Sequence, residues 1–135
     1  MEASIFIYQV FQISIILIFL VNVSDLRKKG AQKQLLNPKL IKIMKTTYFI
    51  PLVIFLLTVI LMDVIFIKDI FSLILTLLGL IIVITSKSTL GKHHTWTGYG
   101  AYPESFVKSG IYSVVRHPMY LGIFVCIGGM LLFVI

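Results

Sequence analysis

Residues 5–23 read IFIYQVFQISIILIFLVNV, nineteen consecutive positions without a charge. A hydrocarbon core about 30 Å thick needs roughly 20 apolar residues of helix, so this run is long enough to span a bilayer. A cleaved leader would carry basic residues ahead of a shorter apolar core. Here Glu2 is the only charge ahead of the run, which therefore reads as a retained helix. Three further apolar runs follow: Tyr48 to Ile67, with Pro51 in its first turn, Ile70 to Thr85, and Tyr120 to Ile135. A proline that early removes an N–H the helix could not satisfy. Lys68 and Asp69 alone separate the second and third runs, which predicts a tight antiparallel hairpin. The fourth run is 16 residues long. At a rise of 1.5 Å per residue it reaches about 24 Å, short of a full span, so a further C-terminal segment is expected.

Composition agrees. Of 135 residues, 59% are hydrophobic and 13% charged, and mean hydropathy is +1.03. Soluble domains are nearer a quarter charged, which excludes that class, and disorder is excluded by the same figures. The single cysteine, Cys126, excludes a disulfide scaffold. The expected fold is an all-α, multi-spanning transmembrane bundle of about four helices, forming one integral-membrane domain over residues 1–135. The net charge of +7 sits in loops. Ser24 to Thr47 holds seven basic residues against Asp25, and Ser86 to Met119 holds Lys87, Lys92, Lys108 and Arg116 against Glu104. By the positive-inside rule both long loops are cytoplasmic, in the plasma membrane of a prokaryote or the endoplasmic reticulum of a eukaryote. Lipid headgroups, not nucleic acid, are the implied partners of this charge. Around Asn37-Pro38 the first loop mixes Leu35, Leu36, Leu40, Ile41 and Ile43 with lysines, as a snorkelling interfacial helix does. Gln9 and Gln12 share a face of the first helix and are expected to bond a neighbouring helix. Asp63 is placed within reach of Lys68, Cys126 in packing, and Gly128-Gly129 at a close helix contact.

The second long loop differs from the rest. Gly91 to Gly122 holds all three histidines, the only tryptophan, five of nine glycines and four of six tyrosines. Irregular chain against a membrane is tolerated where it is buried or lines a cavity, and long loops are commonly functional. The loop ends in GIYSVVRHPMYLG, residues 110–122. Pro118 suits the first turn of the fourth helix. The free N–H groups and positive dipole end of that helix, with Arg116 and His117 just before it, make a field suited to a carboxylate or phosphate. Gly122 permits close approach to the backbone. His93-His94 do not form a metal site, because adjacent side chains diverge and no cysteine or acid completes a set.

The same stretch resembles the isoprenylcysteine carboxyl methyltransferase family and its phospholipid methyltransferase relatives. Their shared pattern is Gly-x-Tyr followed by Arg-His-Pro-x-Tyr-x-Gly leading into a membrane helix. Gly110, Tyr112, Arg116, His117, Pro118, Tyr120 and Gly122 match it in order and spacing. The resemblance covers roughly the last third of the chain. It implies S-adenosylmethionine as methyl donor, a cofactor pocket on the cytoplasmic side built around residues 91–122, and a lipid-like or prenylated acceptor entering from the bilayer. It assigns Arg116 and His117 as catalytic. It assigns Glu104, Phe106, Val107, Gly110, Tyr112, His117, Tyr120 and Gly122 to the cofactor. Relatives often carry a histidine where this chain has Glu104, and they continue into an acidic C-terminal segment.

Methyl transfer from a sulfonium is an in-line displacement. A carboxylate acceptor is already the nucleophile, whereas an amine must be unprotonated. The protein therefore mainly aligns and desolvates the reactants. A prenylcysteine-type carboxylate is the first choice of acceptor and a phospholipid amine the second. Two other readings stay open: a nicotinamide-dependent reductase of sterol type, and a non-catalytic membrane relative. Arg116 and Lys108 also fit as flanking charges, and Tyr112, Tyr120 and Trp96 as an interfacial belt.

Overall fold

A computed structural model describes residues 2–24, 32–34, 36–90, 99–101 and 108–135. In lipid every backbone polar group must be satisfied within the chain, so apolar runs of this length become helices. Four form: α1 (Glu2–Ser24), α2 (Pro38–Ile60), α3 (Ile67–Leu90) and α4 (Pro118–Val134). The first three are long and apolar enough to cross a membrane; α4 is shorter. The protein is an all-α membrane bundle. Its other regular elements among the described residues are a 3₁₀ turn, Gly110–Ser113, and two three-residue strands, β1 (Gln32–Gln34) and β2 (Tyr99–Ala101). The strands pair antiparallel, Gln32 opposite Ala101 and Gln34 opposite Tyr99, and tie the two long loops together at one end of the bundle.

The second helix departs from expectation. It starts ten residues before the apolar run, because Asn37 caps it and Pro38 opens it. The Asn37 side chain accepts from the Lys39 N–H at 2.9 Å. The expected interfacial helix and the expected span are thus one continuous element. It also stops at Ile60, not Ile67. The reversal is made by residues 61–66, and Lys68 and Asp69 belong to the first turn of α3. The start of α3 is set by a side-chain cap. Asp69 Oδ2 accepts from the Phe66 N–H at 2.7 Å, as an acid at the third helical position does for the residue before the helix. The predicted tight hairpin of α2 and α3 is not formed; α2 packs on α4 and α1, while the close partner of α3 is α4.

That α3–α4 contact is the densest in the molecule. Ser72, Thr76, Gly79, Val83 and Ser86 recur at spacings of four and three, and all are buried. Gly122, Cys126, Gly129 and Phe133 do the same on α4. Small residues let helix backbones approach where lipid offers no hydrophobic drive for association. A Cβ built on Gly79 would lie 2.4 Å from the Cys126 nitrogen, and one on Gly129 would lie 2.7 Å from the Thr76 nitrogen. Ser72 Oγ donates to the Gly129 carbonyl at 2.6 Å. Cys126 is therefore a packing residue. Of the two adjacent glycines Gly129 alone serves close contact, since nothing lies within 4 Å of a Cβ on Gly128.

Polar side chains bind the remaining helices. Gln9 Nε2 donates to the Val59 and Ile60 carbonyls at 3.0 and 3.3 Å. Gln12 Nε2 donates to the Tyr8 hydroxyl, which donates to the Asp69 carbonyl, both at 2.8 Å. Gln9 thus links α1 to α2 as expected, whereas Gln12 bonds within α1 and it is Tyr8 that makes the link to α3. Tyr8 stacks on Phe133 at 6.0 Å, and Phe55 meets Phe133 edge-on at 5.3 Å. Lys68 Nζ donates to the Phe133 carbonyl at 3.3 Å rather than pairing with Asp63. Lys87 Nζ donates to the Asn22 carbonyl at 2.8 Å. Each lysine flanking α3 so places its charge at the negative C-terminal end of another helix.

Candidate functional site

The site residues gather where α4 begins. Gly110 opens the 3₁₀ turn with φ +60°, a left-handed value that glycine adopts without a Cβ penalty. A Cβ there would also stand 3.3 Å from Thr89 Oγ1, so the turn lies against the end of α3. The turn closes through Tyr112 N–H to Ser109 at 3.2 Å and Val115 N–H to Ile111 at 3.0 Å. It leaves Tyr112 half-buried. Burial pushes the Tyr112 phenol up to about 12, because it disfavours the charged phenolate.

Three residues on, the chain enters α4. His117 is the residue before the helix, and its side chain makes no capping bond. Pro118 is buried at the first helical position. The first intrahelical bond runs from Leu121 N–H to the His117 carbonyl at 3.1 Å. The Met119 and Tyr120 N–H groups precede that ladder and point out of the helix end. Arg116, His117 and Tyr120 are exposed. The His117 and Tyr120 rings meet edge-on, with centroids 6.3 Å apart. One helix start thus presents a guanidinium, an imidazole, a phenol and free N–H groups. Such an end attracts anions, and the guanidinium fork matches a carboxylate.

Of the residues expected here, Arg116, His117, Tyr120, Tyr112 and Gly110 lie along one continuous stretch, from the end of α3 to the start of α4. Gly122 lies one turn into α4 and faces α3. A Cβ on it would come within 2.9 Å of the Gly79 carbonyl and the Val83 nitrogen. For both glycines the structure supplies a folding reason. Glu104, Phe106 and Val107 lie outside the described residues, as do His93, His94 and Trp96. A hollow of about 430 Å³ lies along the start of α2. A second, of about 590 Å³, lies at the far end of the bundle between Leu57, Leu61, Asp63, Lys68 and Phe133. Neither is lined by the residues at the start of α4.

Lys87 is a residue that sequence reasoning misplaced. It reads as a loop charge but is buried in the last turn of α3. Its signal is positional: Lys87 follows Ser86 on the face already marked by Ser72, Thr76, Gly79 and Val83. It joins the end of α1 to the end of α3, on which the 3₁₀ turn rests.

The fold and site together define a membrane-embedded helical bundle with an anion-attracting helix start at one end. The phospholipid methyltransferase family model matches residues 67–134, half of the chain. The chain belongs to that family, and so to the membrane methyltransferases of this kind. The match runs from the first residue of α3 to the last of α4. Searches of curated proteins and of solved structures found no match.

Proposed function

We propose that this chain transfers the methyl group of S-adenosylmethionine to a lipid-like acceptor at the cytoplasmic membrane face. The observation that carries the reading is the helix start of α4, where Arg116, His117 and unladdered N–H groups stand together at the end of the family-matched segment. These residues fit the donor's chemistry. Its carboxylate suits Arg116 and the N–H groups of Met119 and Tyr120, and its adenine suits the faces of Tyr112 and Tyr120. When bound, the donor supplies an electrophilic methyl on a sulfonium. Residues 91–107 and Gly122 complete the proposed cofactor segment, with Glu104, Phe106 and Val107 assigned there by the resemblance.

The chain's own work is positioning. Arg116 holds an anionic group, of donor or acceptor, against the helix end. His117, whose imidazole is free of capping duty, takes the proton from an amine acceptor or orients the bound anion. Both residues directly precede α4, which packs closely on α3, and alignment of reactants supplies on the order of 7–11 kcal/mol in favourable cases. The family description favours a phospholipid amine as acceptor. Arg116 favours the second reading, a prenylcysteine-type carboxylate, because its fork suits that group.

The test is S-adenosylmethionine binding to purified full-length protein by calorimetry, with Arg116→Ala and His117→Ala beside it. Labelled-methyl transfer is then measured into phosphatidylethanolamine and into an S-farnesyl cysteine acceptor. Saturable binding weakened at least tenfold by each substitution supports the site. Stabilisation by a nicotinamide cofactor instead, in folded protein, refutes methyl transfer.

A further inference from the structure

We propose that the hollow at the far end of the bundle seats the headgroup of a zwitterionic phospholipid. Phe133, which lines it, stands about 24 Å along α4 from His117, and the inference holds whether or not the methyl-transfer reading does. Four parts of the chain wall the hollow: the last turns of α2, the reversal at 61–66, the first turn of α3 and the end of α4. Its volume of about 590 Å³ is that of sites for small ligands. It carries charges of both signs, Asp63, Lys68 and Asp69, and their commitments differ. Asp69 is buried, and its Oδ2 is taken by the Phe66 N–H. Lys68 gives one of an ammonium's three donors to the Phe133 carbonyl at 3.3 Å, which leaves two for a ligand. Asp63 is exposed and makes no hydrogen bond or ion pair among the described residues.

Charge decides the class of headgroup. An anionic headgroup would face Asp63 and the negative C-terminal end of α2; a purely cationic one would face Lys68. A zwitterion complements both. The order along the chain fits as well. Asp63 stands in the reversal, beyond the last residue of α2, and Lys68 stands within α3. A phospholipid likewise carries its ammonium outermost and its phosphate nearer the acyl chains. Phe66 shares the lining and is 59% exposed, and an aromatic ring beside a carboxylate suits a quaternary ammonium. Position decides that the zwitterion belongs to a lipid. Ile54, Leu57 and Leu61 recur at three and four residues along the end of α2, all exposed and all lining the hollow. Residues at that spacing share a face, so an apolar stripe for acyl chains leads from the charged groups down the span.

The full-length protein is reconstituted in vesicles of equal parts phosphatidylcholine and phosphatidylglycerol. Lipid retained after detergent extraction is counted by native mass spectrometry. The nitrogen of phosphatidylcholine is already fully methylated, so this lipid is no methyl acceptor and its retention does not depend on the methyl-transfer reading. Phosphatidylcholine is expected to be retained in preference to phosphatidylglycerol. Asp63→Asn is expected to lower that retention about three- to fivefold, the upper range for an exposed ion pair. Asp63→Glu keeps it, and Asp63→Lys reverses the preference. Glu2→Gln removes an acid at the start of α1, outside the lining of the hollow, and leaves it unchanged. Asp63 has no bond to lose, and an unaltered circular dichroism melt confirms the fold of each variant. Equal retention of both lipids overturns the proposal. So does a loss in Glu2→Gln equal to that in Asp63→Asn, which would mean a diffuse field, or displacement of the lipid by millimolar phosphocholine, which would mean a site for the soluble zwitterion.

Discussion

Replacing Gly79 by alanine inserts one methyl into the α3–α4 seam. That methyl would lie 2.4 Å from the Cys126 nitrogen, 2.7 Å from the Gly122 carbonyl oxygen and 2.8 Å from the Cys126 Cα. All three are backbone atoms and cannot swing aside. Ordinary contact needs about 3.5 Å or more, so the helices must part by about 1 Å. At that separation the 2.6 Å bond from Ser72 Oγ to the Gly129 carbonyl lengthens out of range. Overpacking costs about 1–3 kcal/mol, and an interhelical bond in lipid about 0.6–1.7. Alanine returns up to about 1 kcal/mol of helix propensity. The net expectation is a loss of about 3 kcal/mol, read as reversible unfolding in mixed detergent micelles by circular dichroism. Gly128→Ala is the matched control, because nothing lies within 4 Å of its Cβ. It should be neutral or gain up to about 1 kcal/mol. If the two variants are equally stable, the close seam is not what holds α4. The same displacement would move Arg116 and His117; under the proposed function, a shift of about 1 Å at the reacting centre is worth about a hundredfold in rate.

Gly110→Ala forces a left-handed φ of +60° onto a side chain facing Thr89; it should cost about 1–2 kcal/mol and raise hydrogen exchange at Tyr112 to Val115. Tyr8→Phe removes the hydroxyl linking Gln12 to Asp69 and, with Gln12 Oε1 already lacking a partner among the described residues, should cost about 1–3 kcal/mol. Adding Gln12→Leu to it should recover most of that loss, measured by the same unfolding assay, since removing both buried partners leaves no orphan. The Tyr112 phenol holds its proton to about pH 12 in the fold and to about 10 in the unfolded chain. The native state therefore binds more protons between those values, and stability falls as pH rises through them. Tyr112→Phe should flatten that part of the alkaline unfolding curve.

Apolar runs carried the architecture, because a bilayer leaves a chain few alternatives. The first and last helices fell within three residues of expectation. The errors cluster where apolar content does not distinguish helix from turn. Val64, Ile65 and Phe66 are as apolar as the helix before them, so the break at Ile60 is invisible to hydropathy. It becomes visible only through the Asp69 cap. At the start of α2 a helix was legible, but not that it runs unbroken into the span, because the lysines set it apart from the apolar run. The residues at the start of α4 were legible as a motif, since proline and an adjacent basic pair have a physical meaning at a helix start. What Gly122 does was not legible, because the partner that makes a glycine necessary there, Val83 with Gly79, lies some forty residues earlier in the chain.

The coincidence of the family match with α3 and α4 has a mechanical reading. These two helices form the densest contact, and Gly122, at the seam, is only five residues from His117. A rigid seam therefore fixes the first turn of α4, where Arg116 and His117 stand. Lys87 and Thr89 add contacts at the end of α3, one holding the end of α1 and one receiving the turn at Gly110. The remaining helices join through larger side chains, among them Ile16, Phe55 and Val59, and through the bonds of Gln9 and Tyr8. A motif of short polar residues on a loop would be imprecise by itself. Mounted on a pair of helices whose backbones touch, it takes its position from them.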